Sequence, residues 1–301
     1  MKNLKLYVRA LRLPFITASA LLVIFTGLYV YTSQGIFNWN LFLLTLLGVS
    51  FAHLASNTIN DYFDWDKSDK VNAFATEFNG GSRKNIEGNF FKFDFLKMSI
   101  VLFILSLILF MGIVFSKRPL AIYFGLAGLI LGSLYSLPPF SLQSRGLGES
   151  VIFLAFGPLI TAATGYILTG MFSLNHALIG IPAGLFVTAI IWINEFPDFI
   201  ADREVGKKTL VVRMGLKTSR YAYLTIFFLA YAFVVYFVII EILPLLSLIT
   251  LLGVPIALSN IVKLWTKFEQ PKELVPVQAK TIMLHALSMV LLIISVLPFF
   301  N

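Results

Sequence analysis

The segment Asn57–Asp69, NTINDYFDWDKSD, carries four aspartates within nine residues, directly behind a long apolar run. A second acidic segment, Asn194–Asp202 (NEFPDFIAD), ends another apolar run far down the chain. Asn57, Asp61 and Asp64 recur at i, i+4 and i+7, and Asn194, Asp198 and Asp202 at i, i+4 and i+8. On helices each set shares one face, with Asn60 one turn before Asp64. Carboxylates crowded in partly desolvated surroundings repel one another unless a cation joins them. Hard divalent cations take oxygen ligands, and Mg²⁺ is usually held by one or two carboxylates plus phosphate oxygens and water. Two such faces opposed across a cavity would cradle Mg²⁺ and a diphosphate.

The elements that must position these acids are membrane helices. The 301 residues are 58% hydrophobic and 13% charged, against roughly 25% charged in soluble domains. An all-α polytopic membrane protein is therefore expected. The absence of cysteine excludes disulfides and thiolate metal sites. Nine spans are expected, over about 13–32, 40–60, 94–115, 119–137, 149–169, 176–196, 220–240, 243–262 and 280–299. Each is close to the ~20 residues that cross the hydrocarbon core. The first run has that length and no small-residue cleavage site, so it reads as a span rather than a signal peptide. Before it, Lys2, Lys5, Arg9 and Arg12 mark a partly amphipathic helix expected to lie on the anionic inner leaflet.

With nine spans, all but Lys117 and Arg118 of the 23 Lys and Arg fall on one side. The positive-inside rule makes that side cytoplasmic, in the cell (inner) membrane, with the N-terminus inside. The net charge of +8 follows from this bias and implies lipid, not nucleic acid, as the partner. Of the fifteen acids only Glu241 lies outside, so chemistry is expected at the cytoplasmic face of a central cavity. Asp61 and Asp198 close spans 2 and 6 in the same orientation, which suggests an internal pseudo-repeat within a single domain over residues 1–301. The long connection 66–92 contains NGGSRKNIEG (79–88), whose glycines permit tight turns near phosphate, and it reads as a lid. Pro138–Pro139 should stop span 4, and Pro197 should kink or locally open span 6.

Four motifs together carry a resemblance: NDYFD (60–64), NEFPDFIADREVGKKTLVVRMG (194–215), YSLPPFSLQSRGLGE (135–149) and RLPFITAS (12–19). In that content and order the chain resembles the UbiA-type intramembrane prenyltransferases, and most of all their 1,4-dihydroxy-2-naphthoate branch. The resemblance implies Mg²⁺-dependent transfer of a polyprenyl group from polyprenyl diphosphate to an aromatic acceptor, as in menaquinone biosynthesis, with Mn²⁺ as a substitute metal. It implies that Asp61, Asp64, Asp198 and Asp202 hold the metal and act in catalysis. Asn57, Asn60, Asn194, Arg12, Arg83, Tyr135, Arg145 and Lys207 would bind substrate, with Lys208 behind them. The family's last acid of the first motif would fall at position 68, which is serine here, leaving Asp66 and Asp69 as the stand-ins. The same chemistry on 4-hydroxybenzoate, homogentisate, a chlorophyllide or a glyceryl phosphate is the alternative. A divalent-cation transporter is the alternative of another class, and it would want acids deep in the spans, where this chain has none.

Overall fold

The computed structural model describes residues 4–83 and 88–298. Lys2, Lys84 and the end of the ninth expected span at 299 therefore lie outside the described residues. The described chain is helical. In order the helices are α1 (Leu4–Ala10), α2 (Thr17–Gln34), α3 (Trp39–Asp64), α4 (Ser68–Val71), α5 (Lys92–Phe115) and α6 (Ala121–Ser136). They continue with α7 (Gly148–Leu154), α8 (Ile160–Thr169), α9 (Leu174–Leu178), α10 (Ile181–Glu204) and α11 (Leu210–Met214). The chain closes with α12 (Leu216–Ile239), α13 (Val254–Lys267) and α14 (Pro271–Ser295). Among the described residues, eight helical stretches are long and apolar enough to cross a membrane, and α6 is a shorter apolar helix. The protein is a multi-pass membrane protein.

Local chemistry sets the ends that matter. The Asn38 side chain accepts from the Leu41 N–H at 3.0 Å and starts α3. The α6 helix stops one residue short of Leu137–Pro138–Pro139, where proline geometry excludes a further helical turn. Between α7 and α8 the backbone makes a π turn over Ala155–Leu159, and Phe156 leaves helical angles at φ −95°, ψ 26°. Such a bulge lets the span bend around its neighbour. The neighbour is α10, approached without side chains in the way: a Cβ on Gly157 would sit 2.7 Å from the Gly180 carbonyl oxygen and 2.9 Å from the Gly184 Cα.

Three apolar seams join the helices into a ring. Phe186, Trp192 and Phe196 of α10 pack with Tyr223, Leu264 and Leu284 of α12, α13 and α14. Val30, Phe42, Ile113 and Tyr166 tie α2, α3, α5 and α8 together. Leu22 and Phe25 of α2 meet Ala183 of α10 and Met289 of α14, which brings the first and last spans into contact. The α10 span is the most enclosed, 72% buried over its apolar window, while that of α5 is only 22% buried and turns its side chains to lipid.

Two expectations are corrected. Span 9 begins at Pro271, not near 280, so the expected inner connection 263–279 shrinks to the few residues between α13 and α14. PKELVPVQAK is too polar to read as a span, yet Leu274 and Val277 are buried against the α10–α12 core and hold it helical. The expected opening at Pro197 is absent: α10 runs through it unbroken, with Pro197 buried and Ile193 and Phe196 locked into the same core.

Candidate active site

The acidic ends of α3 and α10 face one cavity. Arg12, Asn60, Asp64, Asp69, Tyr135, Asn194, Asp198, Asp202 and Lys207 line it, with the loop residues Asn72 and Phe78 to Gly81. Lys207 sits between the two stripes, its Nζ 2.9 Å from Asp64 Oδ2 and 3.7 Å from Asp202 Oδ1. The turn that places it is tight. The Lys207 N–H donates to the Asp202 carbonyl at 2.8 Å, Gly206 takes a positive φ of 77°, and Thr209 caps α11 at Val212 N. Burial opposes the Lys207 charge, and the Asp64 and Asp202 carboxylates outweigh it, holding the ammonium well above its ordinary range.

The remaining acids are paired by the loop between α4 and α5. Ser82 donates to Asp61 Oδ2 from Oγ at 2.5 Å and from its N–H at 3.3 Å. Arg12, which takes a left-handed φ of 53°, approaches Asp61 Oδ1 at 3.8 Å. Asn72 and Asn79 each donate to Asp198 Oδ1 at 2.5 Å, and the Gly80 N–H reaches Oδ2 at 3.3 Å. Asp64 Oδ2 further accepts from Asn60 and Gln143, both at 3.3 Å. Loop 72–82 is thus a plug whose donors occupy the acids. Among the described residues no three acidic or histidine side chains converge closely enough to hold a metal by themselves.

The donor set nevertheless fits a hard cation. The oxygens are carboxylates from two helices, and Asp61 Oδ1 and Asp69 Oδ2 are buried without a hydrogen-bond partner. Asp69 is the acid that reaches the cavity. Helix α3 ends at Asp64, Lys67 takes non-helical angles (φ −107°, ψ −117°), and α4 starts in a new direction that buries Asp69 to 8% exposure. Burial, with the charges of Asp61 and Asp64 nearby, pushes its carboxyl up. Asp66 instead points outward at 58% exposure to Lys92, 2.7 Å away, whose hydrogen bond holds it below the usual carboxylate range. Asp69→Asn is expected to weaken metal-dependent activity roughly tenfold or more, whereas Asp66→Asn stays near wild type. Steady-state rates across a Mg²⁺ titration check both.

A family comparison decides the affiliation: the model of the UbiA prenyltransferase family matches residues 20–297. The chain belongs to that family. It is a membrane prenyltransferase. The 1,4-dihydroxy-2-naphthoate octaprenyltransferase of Haemophilus influenzae is 26% identical over 92% of this chain and 89% of its own. UbiA prenyltransferase domain-containing protein 1 of Dictyostelium discoideum is 32% identical, but over 36% of this chain and only 33% of that protein. A solved UbiA homolog from Archaeoglobus fulgidus, bound to DMAPP and Mg²⁺, shares the fold with a TM-score of 0.62 at 19% identity, covering 95% of this chain and 98% of that one.

On this UbiA scaffold not every sequence candidate meets the cavity. Arg83 lies outside it: the guanidinium stacks 5.1 Å from the Trp65 ring centre, donates to the Trp65 carbonyl, and stands 4.0 Å from Asp66. Arg145 donates to the Pro139 carbonyl at 2.6 Å on the exposed surface. Asn57 does not line the cavity, and its Nδ2 is buried without a partner. Other residues escaped the sequence reading. Gln278 of α14, fully buried, donates to Asn194 Oδ1 at 3.0 Å and Asn79 Oδ1 at 3.2 Å. It thereby turns the Asn79 amide nitrogen toward Asp198 and that of Asn194 toward the Phe78 carbonyl, 3.0 Å away. Gln143 had a signal, standing inside the motif quoted for 135–149; Gln278 had none.

The loop also shows why its glycines are there. A Cβ on Gly81 would stand 2.0 Å from Asp69 Oδ2, and the residue already has φ +66°. Gly81→Ala must displace the loop from the acids, and kcat/KM for the prenyl diphosphate is expected to fall roughly tenfold to a hundredfold. Limited proteolysis of the loop in the same variant should accelerate.

Proposed function

We propose that this UbiA family enzyme transfers a polyprenyl group from its diphosphate to 1,4-dihydroxy-2-naphthoate at the cytoplasmic face of the cell membrane. The observation that carries the reading is the pairing of two carboxylate stripes across one cavity that also holds Arg12 and Lys207. The naphthoate rests on the near full-length Haemophilus influenzae relative. The whole chain then acts as one domain, with its N-terminus in the cytoplasm.

Asp61, Asp64, Asp198 and Asp202, joined by Asp69, are the oxygens that would hold Mg²⁺, with Mn²⁺ able to replace it. When bound, the metal supplies Lewis-acid stabilisation of the departing diphosphate. Arg12 and Lys207 complete the clamp on that charge. With a cation on these carboxylates, the loop amides that here donate to Asp61 and Asp198 would no longer be needed there. They can then turn to phosphate oxygens, with Gly80 and Gly81 allowing close backbone approach. Tyr135, Asn60 and Asn194 flank the place left for the acceptor ring. The apolar spans take the prenyl tail and keep water from the allylic cation.

The test offers purified enzyme a polyprenyl diphosphate, Mg²⁺ and a panel of acceptors. Prenylated naphthoate that disappears with chelator supports the reading. Product only from 4-hydroxybenzoate, homogentisate, a chlorophyllide or a glyceryl phosphate moves the acceptor. Ion transport without consumption of prenyl diphosphate overturns it.

A further inference from the structure

Two glutamates beside the acid stripes, Glu149 buried and Glu195 partly buried, have no part in the metal or diphosphate chemistry above. Glu195 is on α10, one turn before Asp198 and so about 5 Å further into the membrane. It lines the same cavity wall as Tyr135, Thr209 and Gly148. Glu149 opens α7, next to Gly148, and is 3% exposed. The glycine contact between Gly157 and Gly184 presses the two spans together, which brings the two carboxyl groups near each other. Glu149 Oε1 accepts the Leu210 N–H at 2.8 Å. Thr209 Oγ accepts from Val212 N and shares the cavity wall with Glu195. One oxygen of each carboxyl, Glu149 Oε2 and Glu195 Oε2, is buried with no donor. The wall of the reaction cavity therefore carries a carboxyl oxygen that has no donor of its own and room for a proton.

We propose that Glu195, seated by Glu149, is the proton acceptor for the hydroxyl of the aromatic acceptor. The inference rests on the reading of an aromatic acceptor given above. The acceptor O–H bond breaks and its proton passes to Glu195, leaving the ring as an oxyanion. The ring carbon beside that oxygen forms its bond to C1 of the prenyl group. The C1–O bond to diphosphate breaks, and its electron pair leaves with the diphosphate. The substituent on the attacked carbon then departs, as CO₂ from a carboxylate or as a proton taken by diphosphate, and its bonding pair restores the aromatic ring. Glu195 returns its proton to the ring oxygen. Glu149 on α7 and Asp202 on its own helix are the charged groups acting on Glu195, and Tyr135 on α6, Asp64 at the end of α3 and Lys207 in the turn before α11 share its cavity.

The experiment measures prenyl transfer and diphosphate affinity for the full-length enzyme, Glu195→Gln and Glu149→Gln across a pH series, with thermal melting as the folding control. The amide keeps the size of Glu195 and removes a buried charge, so the fold should hold. Glu195→Gln is expected to lose about a hundredfold in kcat, with the KM for prenyl diphosphate within about twofold of wild type. The deficit shrinks toward alkaline pH, where the acceptor hydroxyl ionises unaided. Glu149→Gln keeps the Leu210 hydrogen bond and moves the pH limb instead of abolishing turnover. A Glu195→Gln enzyme with wild-type kcat and pH profile, or one equally depressed at every pH, overturns the assignment. Wild-type enzyme that prenylates no aromatic acceptor overturns both this inference and the reading beneath it, which separates the two failures.

Discussion

Asp198→Ala is expected to reduce prenyl transfer on the order of 10²–10³-fold, while the protein still inserts in the membrane and folds. The magnitude is that of removing one preorganised electrostatic group from a site where a leaving group develops charge. Folding survives because the carboxylate is held by Asn72, Asn79 and the Gly80 N–H rather than by a charge partner. Its loss frees three donors on the loop that lines the cavity. Asp198→Asn separates shape from charge: it keeps the loop seated, yet should be nearly as inactive as alanine. The pair of rates, with a melting curve for each protein, checks this.

Lys207→Ala is expected to act on the fold itself. Lys207 is 10% exposed and stands between Asp64 and Asp202, whose side chains are 9% and 8% exposed. Removing one partner from a buried ionic group leaves the others uncompensated, at about 3–5 kcal/mol. A drop of several degrees in the melting midpoint in detergent should follow. Here a divalent cation can take over the counter-charge, so Mg²⁺ with diphosphate should restore more of the midpoint in Lys207→Ala than it adds to wild type. Lys207→Met, which fills the space without charge, should show the same cation-dependent recovery. A variant that melts like wild type with no metal would mean that the two carboxylates are not held as an ionic group.

The sequence carried the bundle and both acidic faces because they rest on local signals. Asp61 and Asp64 on α3, and Asp198 and Asp202 on α10, needed only helical spacing and a span leading into them. The failures are tertiary. Asp69 reaches the cavity because the chain breaks helical register at Lys67, a turn that no periodicity announces. Gln278 sat in a stretch too polar to be a span, and its burial depends on α10 and the loop arriving from elsewhere. Arg83 looked like a phosphate ligand because it follows two glycines. Trp65 and Asp66 hold it on the other side of the loop. Charge partners that are distant in sequence, such as Lys207 for Asp64, are likewise invisible until the helices are placed.

The central claim is that the α3 and α10 acids form one cation and diphosphate site. The most direct test is an electron paramagnetic resonance titration of Mn²⁺ into the full-length enzyme with a non-reacting prenyl diphosphate analogue, repeated for Asp64→Ala and Asp198→Ala. The account predicts bound Mn²⁺ whose affinity rises with the analogue in wild type, and a loss of that linked binding in each variant, one from either stripe. Unchanged linked binding in both variants would contradict it.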